Sequence, residues 1–390
     1  MLVKQSCHRL FHRRLKVKNF EDSTTQKNRT NRIILAEQTF HKKGSSPPDF
    51  PLGLILWYEV FISNSKPGDM MKYAIGCDIG GSFVKVGLLT EAGQLTSRKT
   101  IPLPRFKDPE DFTGWVSSAL VMFARQNLPD DGQLSGVGIG IPGPVKYPEG
   151  TLFDPPNLPF SGEIPFGELL RKRLPFPAFI DNDATVQTLG EARVGKGRKI
   201  RNFIYIALGT GIGGGIVVNG RIYRGDTGMA GEVGHLVIDY RGRKCLCGAR
   251  GCMEAYASIN GIVNSLREFP YDLPGEIREL LETGPWGKLP GILKERIERG
   301  EKHWQKIWNI FADALGAGMG SLINIFNPEK IIISGGLSYY SSLFLARAIE
   351  TARHYSFKQP AAVCEITVSK LKENAGIYGA GLLVFEEEGK

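Results

Sequence analysis

The sequence predicts an α/β protein built on a largely parallel sheet, in a chain long enough for two domains. Three observations carry this. The chain has 390 residues, 42% apolar and 23% charged, the balance of a globular core with a solvated surface. Strand-like runs alternate with runs of helical period from Tyr73 to Ile180, the order that feeds a parallel sheet. Glycine corners recur where strand-like runs end, at Gly80-Gly81, at Gly209 to Gly215 and at Gly335-Gly336. In open α/β sheets, ligands sit at the carboxyl ends of strands.

The formal net charge is +9 but uneven. Residues 1–70 hold 12 Lys and Arg against 6 Asp and Glu, which leaves +3 for the rest. The basic excess therefore says little about partners of the body, and nucleic acid is disfavoured there. Residues 1–70 are polar, contain Ser45-Ser46-Pro47-Pro48 and lack sustained periodicity. Three readings stand: a physiological start at Met70 or Met71, which is preferred, a disordered tail, or a basic DNA-binding arm. A helix-turn-helix needs two short helices around a tight turn, and no such pair is legible. The longest apolar run, Leu52 to Ile62, is too short to span a bilayer and contains Glu59. It also lies too far in for a signal peptide. A cytoplasmic protein is expected, in keeping with thiols kept for metal.

Ordered pattern begins at Tyr73. Tyr73 to Cys77 reads as a strand, Asp78 to Ser82 as a turn, Val84 to Leu89 as the returning strand, and Leu95 to Ile101 as a third. An Asp beside two glycines at a strand end suits a phosphate and metal corner, where turn N–H groups meet phosphate and the carboxylate orients Mg²⁺ through water. Lys85 could add a point charge. A plain hairpin explains the same residues equally well.

Pro109 to Asn127 carries Phe112, Val116, Leu120 and Phe123 at helical spacing. Leu134 to Ile141 reads as a glycine-laced strand, residues 145–162 as a Pro-rich loop, Ile164 to Leu174 as a short helix and Ala178 to Ile180 as a strand. Asp181-Asn182-Asp183 follows and opens a helix through Glu191. A carboxylate near a helix N-terminus stays ionised, which suits a general base; the bland alternative is an N-cap. Gly190 to Lys196 imitates a P-loop but lacks the Ser or Thr that must hold Mg²⁺. Ala255 to Arg267 reads as a helix, residues 270–300 as helices joined by loops, and Trp304 to Phe326 as one long buried helix stopped by Asn327-Pro328. A strand at Lys330 to Ile333, a short strand at Ile366 to Val368 and a small-residue helix from Ile377 to Phe385 complete the chain.

The stretch from Leu208 to Glu254 holds two kinds of chemistry. Gly209-x-Gly211-x-x-Gly214 has the form of a dinucleotide fingerprint, but that motif needs a helix next. Here Ile216-Val-Val, Asn219-Gly220 and Arg221-Ile-Tyr223 follow, a type I′ hairpin signal. The turn joins strand to strand; it either presents N–H groups to phosphate as an anion nest or is an ordinary glycine hairpin. Downstream, His235, Cys245, Cys247 and Cys252 form H-x9-C-x-C-x4-C. Three thiolates and an imidazole satisfy the tetrahedron of a structural Zn²⁺. The alternatives are a disulfide with a spare thiol, or three inert thiols.

Two glycine corners flank Asp183 in sequence, as a nucleoside triphosphate held between two lobes requires. Phosphoryl transfer asks the protein for positioning, Mg²⁺ and one base. Asn157, Asn182, Asp183, Glu232, His235 and Glu254 form a polar set that would converge on a hydroxyl-rich acceptor.

Residues 72–388 resemble the ROK family of sugar kinases and repressors. The likeness rests on D-x-G-G-S-x-x-K at Asp78 to Lys85, D-N-D-A at Asp181 to Ala184, and L-G-T-G-I-G-G-G at Leu208 to Gly215. It continues through G-E-V-G-H at Gly231 to His235 and C-x-C-G-x-x-G-C-x-E at Cys245 to Glu254. The resemblance implies a two-lobed actin/hexokinase-like (ribonuclease H-like) fold, with the active site in the interlobe cleft and a zinc-binding loop. Residues 71–186 plus 374–390 would form one lobe, and 187–373 a larger one. It implies an ATP-dependent hexose kinase acting on a 6-hydroxyl, with glucose preferred. The alternatives are N-acetylmannosamine or another hexose, or a sugar-responsive regulator.

The implied roles follow residue by residue. Asp183 is the general base. Asn182, Glu232, His235 and Glu254 hold the sugar, with Asn157 and Gly143 beside them. Asp78, Gly80, Gly81 and Ser82 form the first phosphate loop, with Ser82 in place of the usual Thr. Thr210 and Gly211 form the second, and Gly335 and Gly336 the adenosine corner. His235 would serve zinc on one ring nitrogen and sugar on the other. ATP, Mg²⁺ and structural Zn²⁺ are the implied cofactors, and a homodimer or homotetramer the implied assembly.

Overall fold

The computed structural model describes residues 70–389 apart from 157 and 271. The expectations for residues 1–69 and for Asn157 lie outside the described residues. Among the described residues, no helix is long and apolar enough to cross a membrane.

Strand β1 (Met71–Ile79) turns through Gly80 to Ser82 into β2 (Phe83–Thr90), and β3 (Leu95–Pro102) completes an antiparallel meander. Helix α1 (Pro109–Asn127) has the bounds its periodicity predicts. Asp108 caps it by accepting from the Asp111 N–H at 2.8 Å, and Pro109 occupies the first turn, where no N–H is missed. Strand β4 (Gly132–Ile141) lies parallel to β1.

The expected loop at 145–162 is instead a small antiparallel sheet of β5 (Val145–Lys146), β6 (Thr151–Phe153) and β7 (Glu163–Ile164). Its inward residues Val145, Leu152 and Ile164 are buried, which orders a segment whose prolines read as loop. Helix α2 (Phe166–Arg171) is shorter than expected. Strand β8 (Ala178–Asn182) runs parallel to β4 and feeds directly into α3 (Asp183–Arg193).

The second sheet begins with β9 (Phe203–Leu208), β10 (Ile212–Val218) and β11 (Arg221–Ile222). Asn219 and Gly220 take φ of 53° and 78°, both positive as a type I′ turn demands. Helix α4 (Ile259–Arg267) starts later than the expected Ala255, because the Ser258 hydroxyl accepts from the Gly261 N–H at 3.1 Å and fixes the cap. Helices α5 (Gly275–Thr283) and α6 (Leu289–Glu298) fill the 270–300 region. The long α7 (Gln305–Phe326) buries Trp308, Phe311, Leu315 and Met319, each contributing about 1.5–3 kcal/mol of transfer free energy. Asn327 ends it in the left-handed region, at φ 44°.

Strand β12 (Lys330–Ser334) is parallel to β9. After α8 (Leu345–His354) and α9 (Lys358–Val363), β13 (Glu365–Val368) is parallel to β12, and α10 (Ala375–Glu388) closes the chain.

The two large sheets repeat one plan: β3-β2-β1-β4-β8 and β11-β10-β9-β12-β13. Each joins a three-stranded meander to two parallel strands, so the sheets are mixed and not largely parallel. The reason is connection length. Short glycine turns can join only antiparallel neighbours, whereas a parallel pair needs a long crossover.

Helix α10 returns to pack on β1, β4 and α3. Its small residues allow this approach. A Cβ on Gly379 would lie 1.5 Å from the Val186 carbonyl oxygen, and one on Gly138 of β4 would lie 1.7 Å from that of Ala380. The same packing brings the first turn of α10 onto Asp78, where a Cβ on Gly376 would sit 2.4 Å from Asp78 Cγ.

Candidate active site

Asp78 and Asp183 both stand at the carboxyl ends of strands in the first sheet. Asp78 is next to last in β1, and Asp183 is the first residue after β8. With β4 between them in parallel register, Asp78 pairs with Gly140 and Gly140 with Asp181. Burial raises both carboxyls. Asp78 is pushed up to about 7, by burial first and by the Asp183 charge second, while Lys85 pulls it down. Lys85 is its cross-strand partner on β2. Asp183 is raised by burial, against the pull of the Ala184 N–H, its own N–H and the Asn182 side chain. Its Oδ1 accepts from the Ala184 N–H at 2.8 Å.

The three residues of the Asp-Asn-Asp run therefore divide their work. Asn182 is the helix cap: its Oδ1 accepts from the Thr185 N–H at 3.1 Å, and its Nδ2 donates to the Gly143 carbonyl at 3.0 Å. Its side chain also serves the Asp183 carboxyl, which it holds down against burial. Asp181 is fully buried and takes Arg224. Asp183 remains for the cleft.

Glu232 links the two sheets electrostatically. Crowding by the cleft walls removes water and raises its carboxyl; His235 lowers it, and the Asp183 and Glu254 charges raise it further. The Asp183 charge thus reaches both Asp78 and Glu232, and Glu232 in turn feels His235 and Glu254.

Glu254 is more engaged than a free sugar ligand. Its Oε2 accepts from the Ile212 N–H at 2.7 Å, immediately after the Gly209 to Gly211 turn. A Cβ on Gly211 would lie 2.2 Å from that oxygen, so a larger residue there would displace the Glu254 carboxylate. The turn is closed by the Gly209 N–H donating to the Gly211 carbonyl at 2.9 Å, and Thr210 is exposed at its tip. The third corner abuts it: Gly335, at φ 82°, follows β12 alongside β9, and a Cβ there would lie 2.3 Å from the Leu208 carbonyl oxygen. Thr210, Gly211, Gly335 and Gly336 are therefore neighbours. Gly80, Gly81 and Ser82 form the turn beside Asp78, held by the Gly80 N–H donating to the Phe83 carbonyl at 2.9 Å. Lys85 Nζ reaches the Glu373 carbonyl at 3.5 Å.

His235, Cys245, Cys247 and Cys252 place their ligand atoms within 4.8 Å of one another. The geometry fits a tetrahedral ion. Two thiolates at about 2.3 Å from such an ion sit about 3.8 Å apart, and a thiolate and an imidazole nitrogen about 3.5 Å apart. Cys247 and Cys252 Sγ are 3.7 Å apart, and Cys245 Sγ is 3.6 Å from His235 Nδ1. His235 Nδ1 faces the thiols, which leaves Nε2 as the second nitrogen. Bridges between Val237 and Cys252 and between Lys244 and Arg250 fold the loop back on itself.

Sequence reasoning missed Arg224, Tyr147 and Gly376. Arg224 carries no local signal, since its partner Asp181 lies 43 residues away. Gly376 belongs to a small-residue run whose close approach to Asp78 only packing reveals.

A stability consequence follows from Asp78. Its folded carboxyl holds a proton up to about 7, against an ordinary 3.8. Between those values the unfolded chain releases a proton that the folded chain keeps, so stability falls as pH rises through this window. Without Mg²⁺ or nucleotide, the urea midpoint is expected to drop from pH 5 to pH 7.5, and Asp78→Asn to flatten the slope. An equal slope in the variant would discard the assignment.

The ROK family profile matches residues 74–387. A glucokinase of Thermotoga maritima is 32% identical over 315 residues, covering 81% of this chain and 98% of that protein. A xylose repressor of Caldicellulosiruptor bescii is 28% identical over 319 residues, covering 80% and 78%. The crystal structure of a ROK family glucokinase from Streptomyces griseus, in complex with glucose and AMPPNP, superposes with a TM-score of 0.65 at 27% identity, covering 80% of this chain and 99% of that one. The duplicated mixed sheets are those of the actin/hexokinase fold that these sugar kinases share. By its motifs, its fold and these likenesses, the chain belongs to the ROK family.

Proposed function

We propose that the protein is an ATP-dependent hexose kinase that phosphorylates the 6-hydroxyl of its sugar, with glucose preferred. The observation that carries this reading is the pair Asp78 and Asp183, set at the carboxyl ends of β1 and β8 on either side of β4, with the Asp183 charge felt by both Asp78 and Glu232. One carboxylate suits the phosphate side and the other the acceptor side.

Glu232, Glu254 and His235 Nε2 hold the sugar hydroxyls, with Asn182 beside them. Asp183 Oδ accepts the proton of the 6-hydroxyl as its oxygen attacks the γ-phosphorus, and the bond to the β-bridging oxygen breaks towards ADP. The N–H groups of Gly81 and Ser82 and of the Thr210 to Gly211 turn receive phosphate oxygens. Gly335-Gly336 leaves room for the nucleoside. Asp78 would hold Mg²⁺ through water, and the ion would supply charge neutralisation at the phosphates. His235, Cys245, Cys247 and Cys252 would hold Zn²⁺, which would fix the orientation of the imidazole and of its other nitrogen. A cytoplasmic location fits thiols kept for metal.

A sugar-responsive regulator is the second reading, favoured by the likeness to the xylose repressor. It predicts sugar binding without turnover. A coupled assay over glucose, mannose, N-acetylmannosamine and xylose, with ATP and polyphosphate as donors, separates the readings. Glucose with ATP is expected to give the highest kcat/KM. Calorimetric sugar binding with no turnover on any pair would replace the kinase reading with the regulator.

A further inference from the structure

Asp181, two residues before Asp183, and Arg224, eight residues before Glu232, are joined by an ion pair that the proposed chemistry does not use. Asp181, at the end of β8, is 0% exposed, and its partner Arg224 is 19% exposed. Arg224 Nε and Nη2 both reach Asp181 Oδ2, at 3.0 and 2.8 Å. Asp181 Oδ1 accepts from the Asn182 N–H at 2.8 Å, so the carboxylate spans the guanidinium and the backbone that leads into Asp183.

Arg224 belongs to the other sheet. It follows β11, and its carbonyl accepts from the Ala230 N–H at 3.0 Å, which closes the loop that delivers Glu232. Its guanidinium lies over the Tyr147 ring, 4.3 Å from the centroid. Tyr147 in turn donates its hydroxyl to Glu387 of α10. The same loop rests on Tyr147 at Gly228, where a Cβ would lie 2.7 Å from the Tyr147 nitrogen. The loop from 225 to 231 is therefore docked on the first sheet's side by one buried charge pair and one ring.

We infer that Arg224 is a positioning residue: its pairing with Asp181 sets the Glu232 to His235 segment, from the second sheet, against Asp183, from the first. The inference rests on the kinase reading for its kinetic consequences only. Breaking a buried pair leaves a charge without a partner, which the structure relieves by moving. The elements that would move are the two that hold the acceptor. The nucleotide turns at Gly80 to Ser82 and Gly209 to Gly211 are not bonded to the pair. A shift of about 1 Å between acceptor and base can cost ~100-fold in rate.

The test compares Arg224→Gln, Arg224→Lys, Asp181→Asn and the double variant in the full chain. Arg224→Gln should raise the sugar KM and lower kcat, for a combined loss of ~10- to 100-fold in kcat/KM for sugar, and leave the nucleotide KM within about twofold. Arg224→Lys keeps the charge but loses the fork, and should recover only part of the loss. The double variant, with no charge stranded, should be less impaired than the two single losses multiplied together. Amide exchange read without any substrate should quicken in residues 225–235 of Arg224→Gln. Unchanged exchange there overturns the inference even if the wild-type protein phosphorylates nothing. Faster exchange in Arg224→Gln, beside a wild-type protein that phosphorylates nothing, would instead retire the kinase reading alone. A variant with lowered melting temperature but sugar kinetics within twofold of wild type would also overturn it.

Discussion

Asp183→Asn is expected to cut kcat by at least ~100-fold, the scale of a lost general base, while sugar affinity measured by calorimetry stays within a few-fold. The amide is nearly isosteric and keeps the oxygen that accepts from the Ala184 N–H. The helix start should survive as well, because its cap is Asn182 and not Asp183. Structural damage and lost chemistry are therefore separable at this position. The wild-type kcat/KM should also fall on acidification at a pH above the ordinary Asp range. Burial raises the Asp183 carboxyl, and the base must be ionised to accept a proton. Because Asp78 feels the Asp183 charge, the fall belongs to the pair. Substantial turnover by Asp183→Asn would falsify the base assignment.

The second large effect concerns the metal loop. Purified protein should contain about one zinc per chain, and Cys252→Ser about none. Cys252 is fully buried and bridges to Val237, so its loss removes both a ligand and the residue that pins the loop's return. The sugar KM should rise at least ~10-fold, since His235 loses the bond that orients it. The loss should also reach the phosphate turn. Glu254 follows Cys252 by two residues, and its Oε2 holds the Ile212 N–H. A raised nucleotide KM in Cys252→Ser, beside an unchanged one in Arg224→Gln, would separate the two supports. Fully active wild-type protein that is free of metal on elemental analysis would remove the zinc assignment.

Much of the site was legible before any coordinates. His235, Cys245, Cys247 and Cys252 do converge, because a metal loop's ligands lie close in sequence and its glycines permit the turns. The Asn219-Gly220 hairpin and the bounds of α1 were equally plain, each being set within a few residues. The 145–162 segment was not. Its strands have two or three residues each, too few for a period to show, and their order comes from burying Val145, Leu152 and Ile164. The mixed character of the sheets was half visible: the meander was read, but its weight against the parallel strands was not.

The sequence by itself determined which chemical groups are present and which turns and helices carry them. Short-range signals suffice for this, since caps, hairpin turns and ligand spacings act within a few residues. Only the tertiary structure decided how the Asp181-Asn182-Asp183 run is shared out, one residue to Arg224, one to the helix cap and one to the cleft. It also decided that Glu254 ties the cysteine loop to the Gly209 to Gly211 turn, and that the small-residue helix α10 lays its first turn on Asp78. These outcomes depend on close approach between segments tens to hundreds of residues apart. Such contacts are set by packing volume and by the need to pair buried charge, and neither leaves a local pattern.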